Sequence, residues 1–382
     1  MERNYTIDFV KFFAILAVVC IHTGTVSGVQ LGAIDGDQAD FIIDILARFA
    51  VPFFFVASGY LFIQKINTID STKQQFTYFK KYILKLTKLW TAWFAFYFLY
   101  DLAINYIETE KSVQAMHVMF QEYLATYFTW ETLYYGAGHT QYHLWFLLAL
   151  IWSIAILFIF TKFRLLRVLF IISLGLNIYG LFGQSYSSFF EVALNTRDAL
   201  FMGLFYTTLG GLVGKYAGQV KEFAMKIPVF VYIGVITVFS LVQVLEGYYT
   251  IKILEGNEQN YFLATIPLII ILFMAIIKHN KIGKNSLISK IGANSVGIYV
   301  SHVFVMEAIR LLVKRLEITF VQDTILWNIL FTPTVFIVAY FLYIGIQQLK
   351  TGNSMKRVYR WKAIRESSQI SPFNPKIPYH RK

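Results

Sequence analysis

Apolar residues fall along this chain in long unbroken runs rather than at helical or alternating spacing. Ten runs meet or approach the roughly 20 residues needed to cross a bilayer as a helix. They lie at 7–26, 41–63, 89–107, 142–161, 165–183, 198–214, 228–247, 261–277, 291–312 and 326–346. The pattern predicts an all-α protein, a polytopic membrane helix bundle of about ten transmembrane helices. The first run is read as a spanning helix, because it exceeds a leader's apolar core and contains His22. The least clear predictions are 198–214, short and glycine-rich, and the entry to 89–107, where Lys85 and Lys88 precede Trp90.

The polar connections orient the bundle. With the N-terminus inside, 27 of the 34 basic residues fall on inner loops and the tail. Outer loops carry Asp35, Asp37, Asp40, Glu108, Glu110, Glu122, Glu131, Glu255 and Glu258 against only Lys111 and Lys252; the last outer loop, with Lys314 and Arg315, is the exception. The positive-inside bias places both termini in the cytoplasm. The expected organisation is a membrane domain at 1–348 and a basic cytoplasmic tail at 349–382, with Ser371-Pro372-Phe373-Asn374-Pro375 breaking any helix there. The loop 64–88 is rich in lysine and could extend the third helix into the cytoplasm. The aromatic outer connection 108–141, with Trp130, Tyr134 and Tyr135, fits a re-entrant or interfacial element.

Composition sharpens this picture. Apolar residues make up 57% and charged residues only 15%, against about 25% charged in soluble domains. One cysteine excludes an intrachain disulfide framework. The formal charge of +12 then reads as topology rather than nucleic-acid binding.

With so few charges, those inside the helices stand out as functional candidates. Asp8, Lys11 and His22 share the first helix. Eleven residues make about three turns, or ~16 Å, so Lys11 and His22 lie on one face at different depths. Asp8 can pair with Lys11 at i,i+3. Asp44 and Arg48 form an i,i+4 pair that would neutralise itself when buried. Pro52 is expected to kink the second helix, and Ser58 and Gly59 to allow close packing. His143 opens a helix one turn after His139. These two resemble half a metal site without a third ligand, and no metal is assigned. His302 lies mid-span, with Glu307 and Arg310 further out. Gly210, Gly211 and Gly214 read as packing positions. Hydrolase elbow, phosphate-loop and HExxH motifs are absent.

Several of these pieces resemble the membrane acyltransferase-3 family in their order. Asn4-Tyr5-Thr6-Ile7-Asp8-Phe9-Val10-Lys11 with His22 matches its opening helix, and Arg48-Phe49-Ala50-Val51-Pro52-Phe53-Phe54-Phe55 with Ser58-Gly59-Tyr60 its second. His143-Leu144-Trp145-Phe146-Leu147, Asn195-Thr196-Arg197-Asp198 and Ile291-Gly292-Ala293-Asn294-Ser295 with His302 follow. The chain departs in one place: Lys11 stands where the family has arginine, keeping the charge but losing the guanidinium fork.

The resemblance implies a cell-membrane O-acyltransferase, in a bacterial cytoplasmic membrane. It would move an acetyl or succinyl group from cytoplasmic acyl-CoA to a hydroxyl of an exported glycan or lipid-linked sugar, with no cofactor bound permanently. It puts His22 in the role of general base, with Asp44 orienting it and Arg48 assisting. Lys11, Ser58, His143, Arg197 and His302 would contact substrate. Lys11, Lys80, Lys81 and Lys85 would face the CoA donor. Direct transfer and an acyl-histidine intermediate both remain open, as do a homodimer and a polysaccharide-synthesis partner. Two other classes fit the polar stripe: a glycan exporter or flippase without acyl chemistry, and a membrane receptor or scaffold.

Overall fold

A computed structural model describes residues 3–31, 34–136, 138–190, 192–256 and 261–367, with side chains described to Lys350. Glu258 and the run 371–375 lie outside the described residues. The protein is essentially all-α. Among the described residues its one strand pairing is a two-residue antiparallel pair, β1 (Gln30–Leu31) and β2 (Ile34–Asp35), between the first two helices.

The helices are α1 (Tyr5–Thr23), α2 (Gly36–Ala47), α3 (Ala50–Asn67), α4 (Thr72–Glu108), α5 (Val113–Tyr127), α6 (Trp145–Lys162) and α7 (Leu166–Leu181). They continue as α8 (Leu204–Lys215), α9 (Ala217–Lys226), α10 (Val229–Gly247), α11 (Thr265–Lys278), α12 (Leu287–Gly292), α13 (Ser295–Arg315) and α14 (Ile325–Ser367).

Among the described residues, six helical stretches are long and apolar enough to cross a membrane, rather than ten. They are Tyr5–Thr23, Gly36–Asn67, Thr140–Lys162, Val229–Ile253, Ser295–Arg315 and Ile325–Lys350. Three more apolar helices, Leu166–Leu181, Ala199–Lys215 and Thr265–Lys278, fall short in length. The remaining expected span lies in α4. That helix has 37 residues, but its C-terminal half mixes Trp, Tyr and Phe with aliphatic residues around Asp101. Its N-terminal half carries Lys73, Lys80, Lys81, Lys85 and Lys88, as the lysine-rich loop suggested.

The second apolar run is not one helix. It breaks at Arg48–Phe49, between α2 and α3. Pro52 does not cause a mid-helix kink. It occupies the first turn of α3, where a missing backbone N–H costs nothing.

The tightest pairing in the bundle is α3 on α8. A Cβ at Gly59 would sit 2.0 Å from the Thr207 carbonyl oxygen, and one at Gly210 would sit 2.0 Å from that of Val56. Backbone thus meets backbone, as small residues permit in membrane bundles. Around this pair lies a core of fully buried side chains including Phe53, Phe55, Tyr97, Phe205 and Ile298.

Candidate active site

The N-terminal end of α1 is capped by Asn4, whose side chain accepts from the Thr6 and Ile7 N–H groups. Asp8 is held there by two cations, Arg3 at 2.8 Å and Lys11 at 3.4 Å. The i,i+3 pair expected from the sequence is therefore present, within a triad. Lys11 is part-buried beside it.

At the far end of the same helix, His22 meets a cluster of rings. Its Nδ1 is 3.2 Å from the Tyr142 hydroxyl. The His302 ring lies 5.1 Å from it, centroid to centroid, and His143 lies 5.2 Å from His302. Three imidazoles from α1, α13 and the 3₁₀ turn Thr140–Leu144 thus converge, although they stand 280 positions apart at the extremes. His143 and His302 are almost wholly buried, at 1% and 0% exposure, whereas His22 is part-exposed. Of the three, His22 is the least buried.

Each ring is held by something specific. The His302 Nδ1 donates to the Tyr299 carbonyl at 2.7 Å, which fixes the proton on that nitrogen and leaves a lone pair at Nε2. That Nε2 is buried with no hydrogen-bond partner. His143 is surrounded by Tyr97, Tyr142 and Tyr299 rings at 5.2, 5.8 and 5.5 Å, and the Tyr299 hydroxyl donates to its carbonyl. Tyr97 does more than pack. Its hydroxyl donates to Val300 O at 3.0 Å and accepts from Phe304 N–H at 3.1 Å. It is thereby inserted into the turn of α13 that carries His302, a known way of bending a helix locally.

The other candidates fall in different places. Arg48 grips Asp44 through both nitrogens, at 2.7 and 2.8 Å from Nη2 and 3.2 Å from Nε. Asp44 is buried, so the pair is a desolvated, bidentate one. Arg197 lies with its guanidinium 5.4 Å from the Trp145 ring centroid. Next to Arg197, Asp198 caps the π-helical turn Ala199–Gly203 by accepting from the Leu200 and Phe201 N–H groups, both at 2.9 Å. Ser58 faces the Tyr82 hydroxyl of α4, one turn beyond Phe54 and Phe55 on α3. Lys80, Lys81 and Lys85 are exposed on the N-terminal half of α4. The two histidines at i,i+4 diverge: His139 packs at a tilt against Tyr127, centroids 4.5 Å apart, while His143 joins His302.

The connection between α4 and α6 folds back over this region. Helix α5 lies along α4, with the Tyr123 hydroxyl donating to Phe98 O at 2.7 Å. Trp130 stacks on Tyr134 at 4.7 Å, and the Tyr134 hydroxyl reaches Asp198 at 3.4 Å. Burial and the Asp198 charge raise the Tyr134 phenol above its ordinary range, so it stays a neutral donor.

Sequence reading missed Tyr142 and Tyr97, and it met Tyr299 only as the end of the family-like stretch before His302. Tyrosines near helix ends read as interfacial anchors. The one available signal was the position of Tyr142 directly before His143.

A multi-helix membrane protein with a histidine and tyrosine centre reached from the end of its first helix is the class this structure defines. The chain belongs to the family described as "Acyltransferase domain", which matches residues 4–344. It is also 27% identical over 236 residues to a protein of Enterococcus faecalis called "Amino-acid racemase". That match takes in 58% of this chain but 29% of the relative, so the chain spans under a third of that relative's length. No solved structure matches the chain.

Proposed function

We propose that the protein is an O-acyltransferase taking an acetyl group from cytoplasmic acyl-CoA to a hydroxyl of a surface glycan or lipid-linked sugar. The observation that carries this reading is the part-exposed His22 at the head of a buried imidazole cluster in a chain of the acyltransferase family. In this reading the six long helices, the three shorter ones and α4 make ten spans with both termini cytoplasmic, in a bacterial cytoplasmic membrane. Residues 1–348 form the membrane domain, and 349–382 follow as a basic tail that begins within α14.

The inner lysines Lys80, Lys81 and Lys85 attract the polyanionic CoA, and Lys11 lies at the mouth beneath His22. The thioester reaches the imidazole cluster from below and the acceptor from above. His22 takes the hydroxyl proton as the oxygen attacks the thioester carbonyl carbon. The C–S bond breaks, and the CoA thiolate recovers that proton from the imidazolium. Arg48, oriented by Asp44, and Arg197 stabilise the developing oxyanion. His143 and His302 line the site, and Ser58 lies along the donor's path. No resident cofactor is required.

The test uses the protein in proteoliposomes with labelled acetyl-CoA inside and oligosaccharide outside. Label should appear on the outer sugar, with CoA released in equal amount. His22→Ala should abolish both, and wild-type turnover by that variant would overturn the assignment. Movement of sugar without CoA release would indicate an exporter instead.

A further inference from the structure

Several hollows in the molecule are apolar, such as the groove lined by Leu99, Ala103, Met116 and Phe120 between α4 and α5. One is different. Between the outer ends of α4 and α13 and the turn before α6 lies an open cavity of about 580 Å³. It is lined by Asp101, Asn105, His139, Thr140, Tyr142 and Glu307, with Ile104 and Gly138 completing the wall. Its volume falls in the range of small-molecule sites, roughly 300–1,000 Å³.

The cavity adjoins the imidazole cluster through one residue. Tyr142 lines it, and the same Tyr142 hydroxyl lies 3.2 Å from His22 Nδ1. A ligand resting in the cavity therefore lies one side chain from the accessible histidine. Behind that wall the His302 Nε2 is fully buried with no partner.

The chemistry of the lining is that of polyol recognition. Asp101 accepts from the Thr140 N–H at 3.2 Å, which fixes the carboxylate and leaves further acceptor capacity. Glu307 pairs with Arg310 at 3.4 Å, with both side chains part-exposed. Asn105 adds an amide that can donate and accept, and Thr140 adds a hydroxyl. His139 is occupied by the Tyr123 and Tyr127 rings and serves as wall. Acceptor-rich groups beside an aromatic ring suit an array of hydroxyl donors. One carboxylate without a paired cation leaves the cavity repellent to anions.

We propose that this cavity is the acceptor site and that it selects an uncharged sugar over an acidic one, with Tyr142 linking the bound hydroxyl to His22. The proposal rests on the acyltransferase reading for its role in catalysis, but the sugar site itself can be tested apart from turnover.

The experiment has a binding arm and a kinetic arm, both on the full chain in membranes. For binding, Asn105→Cys is placed in a Cys20→Ala background and labelled with an impermeant maleimide. Maltotriose should slow labelling at least fivefold, while tri-galacturonate should not. Equal protection by the acidic sugar, protection by the cationic glucosamine trimer alone, or no protection by maltotriose would overturn the proposal. In the kinetic arm, Asp101→Asn and Glu307→Gln should each raise the acceptor KM about tenfold, the loss expected for one charge-assisted hydrogen bond. Acyl-CoA binding should be unchanged, which also reports that the variants are folded. Transfer by wild type with no protection and an unchanged acceptor KM removes the site and leaves the activity standing. Protection without any acyl transfer removes the activity and leaves the sugar site standing.

Discussion

His22 Nδ1 and the Tyr142 hydroxyl are 3.2 Å apart, although α1 and the Thr140–Leu144 turn are separated by 120 positions in the chain. This contact sets which imidazole nitrogen faces the phenol and which faces the bundle. Tyr142→Phe keeps the ring and removes only that oxygen. It should reduce acyl transfer about tenfold, in line with a modest hydrogen bond to a catalytic group. Acyl-CoA affinity should stay at the wild-type value. A steady-state series with both substrates varied separates the two, and an unchanged kcat would show that Tyr142 does not orient His22.

His302 offers a second contrast. Its Nδ1 is committed to the Tyr299 carbonyl, and its buried Nε2 has no partner. A merely structural imidazole would be replaceable by a ring of similar size. His302→Phe should leave thermal stability within a few degrees of wild type while reducing transfer by roughly 10- to 100-fold, within the range for a group acting on a proton in flight. Full activity in a stable His302→Phe protein would make it a packing residue.

The Asp44–Arg48 pair makes a stability prediction whose sign depends on burial. Removing one partner leaves a desolvated charge, a loss of about 3–5 kcal/mol, whereas replacing both with apolar residues is often neutral. Asp44→Ala should therefore lower the detergent melting temperature strongly. Asp44→Leu with Arg48→Met should recover most of it while still lacking activity, because the guanidinium proposed to stabilise the oxyanion is gone. Melting curves and transfer rates on the same samples check both halves. A double variant as unstable as the single one would mean the two residues are not coupled.

How much of this was legible beforehand differs by level. Long apolar runs carry their own signal, so nearly every helix was located from them, and the charged exceptions Asp8, Lys11 and His22 were visible because charge is rare there. Span length was harder to read: α7, α8 and α11 are shorter than the runs suggested, because turns and π-helical segments take residues at their ends. The sequence pointed to Pro52 because proline announces itself, whereas the break lies at Arg48–Phe49, where no residue type marks it. The site was half legible. The histidines could be named one by one, but their convergence depends on which helices pack together. Tyr97 and Tyr142 were hidden because a tyrosine looks alike whether it anchors at a headgroup or threads its hydroxyl into another helix.

That packing rests on glycines, and here the structure sets two opposite expectations for one substitution. In an exposed helix, Gly→Ala normally stabilises by up to ~1 kcal/mol, since alanine restricts the unfolded chain and favours helix. Gly175 and Gly234 are such positions, exposed on α7 and α10, with nothing within 4 Å of an added Cβ. At Gly210 the same methyl would meet the Val56 carbonyl oxygen at 2.0 Å and the Tyr60 nitrogen at 2.9 Å. Those atoms are backbone and cannot rotate away, so α3 and α8 must separate, an overpacking cost of about 1–3 kcal/mol. Gly210→Ala should thus lower the melting temperature while Gly175→Ala and Gly234→Ala leave it level or raise it. Because α3 follows directly on the Asp44–Arg48 pair, the Gly210 variant should also lose transfer activity beyond what its stability explains. Equal melting temperatures for all three variants would show that the α3–α8 contact is looser than the backbone distances require.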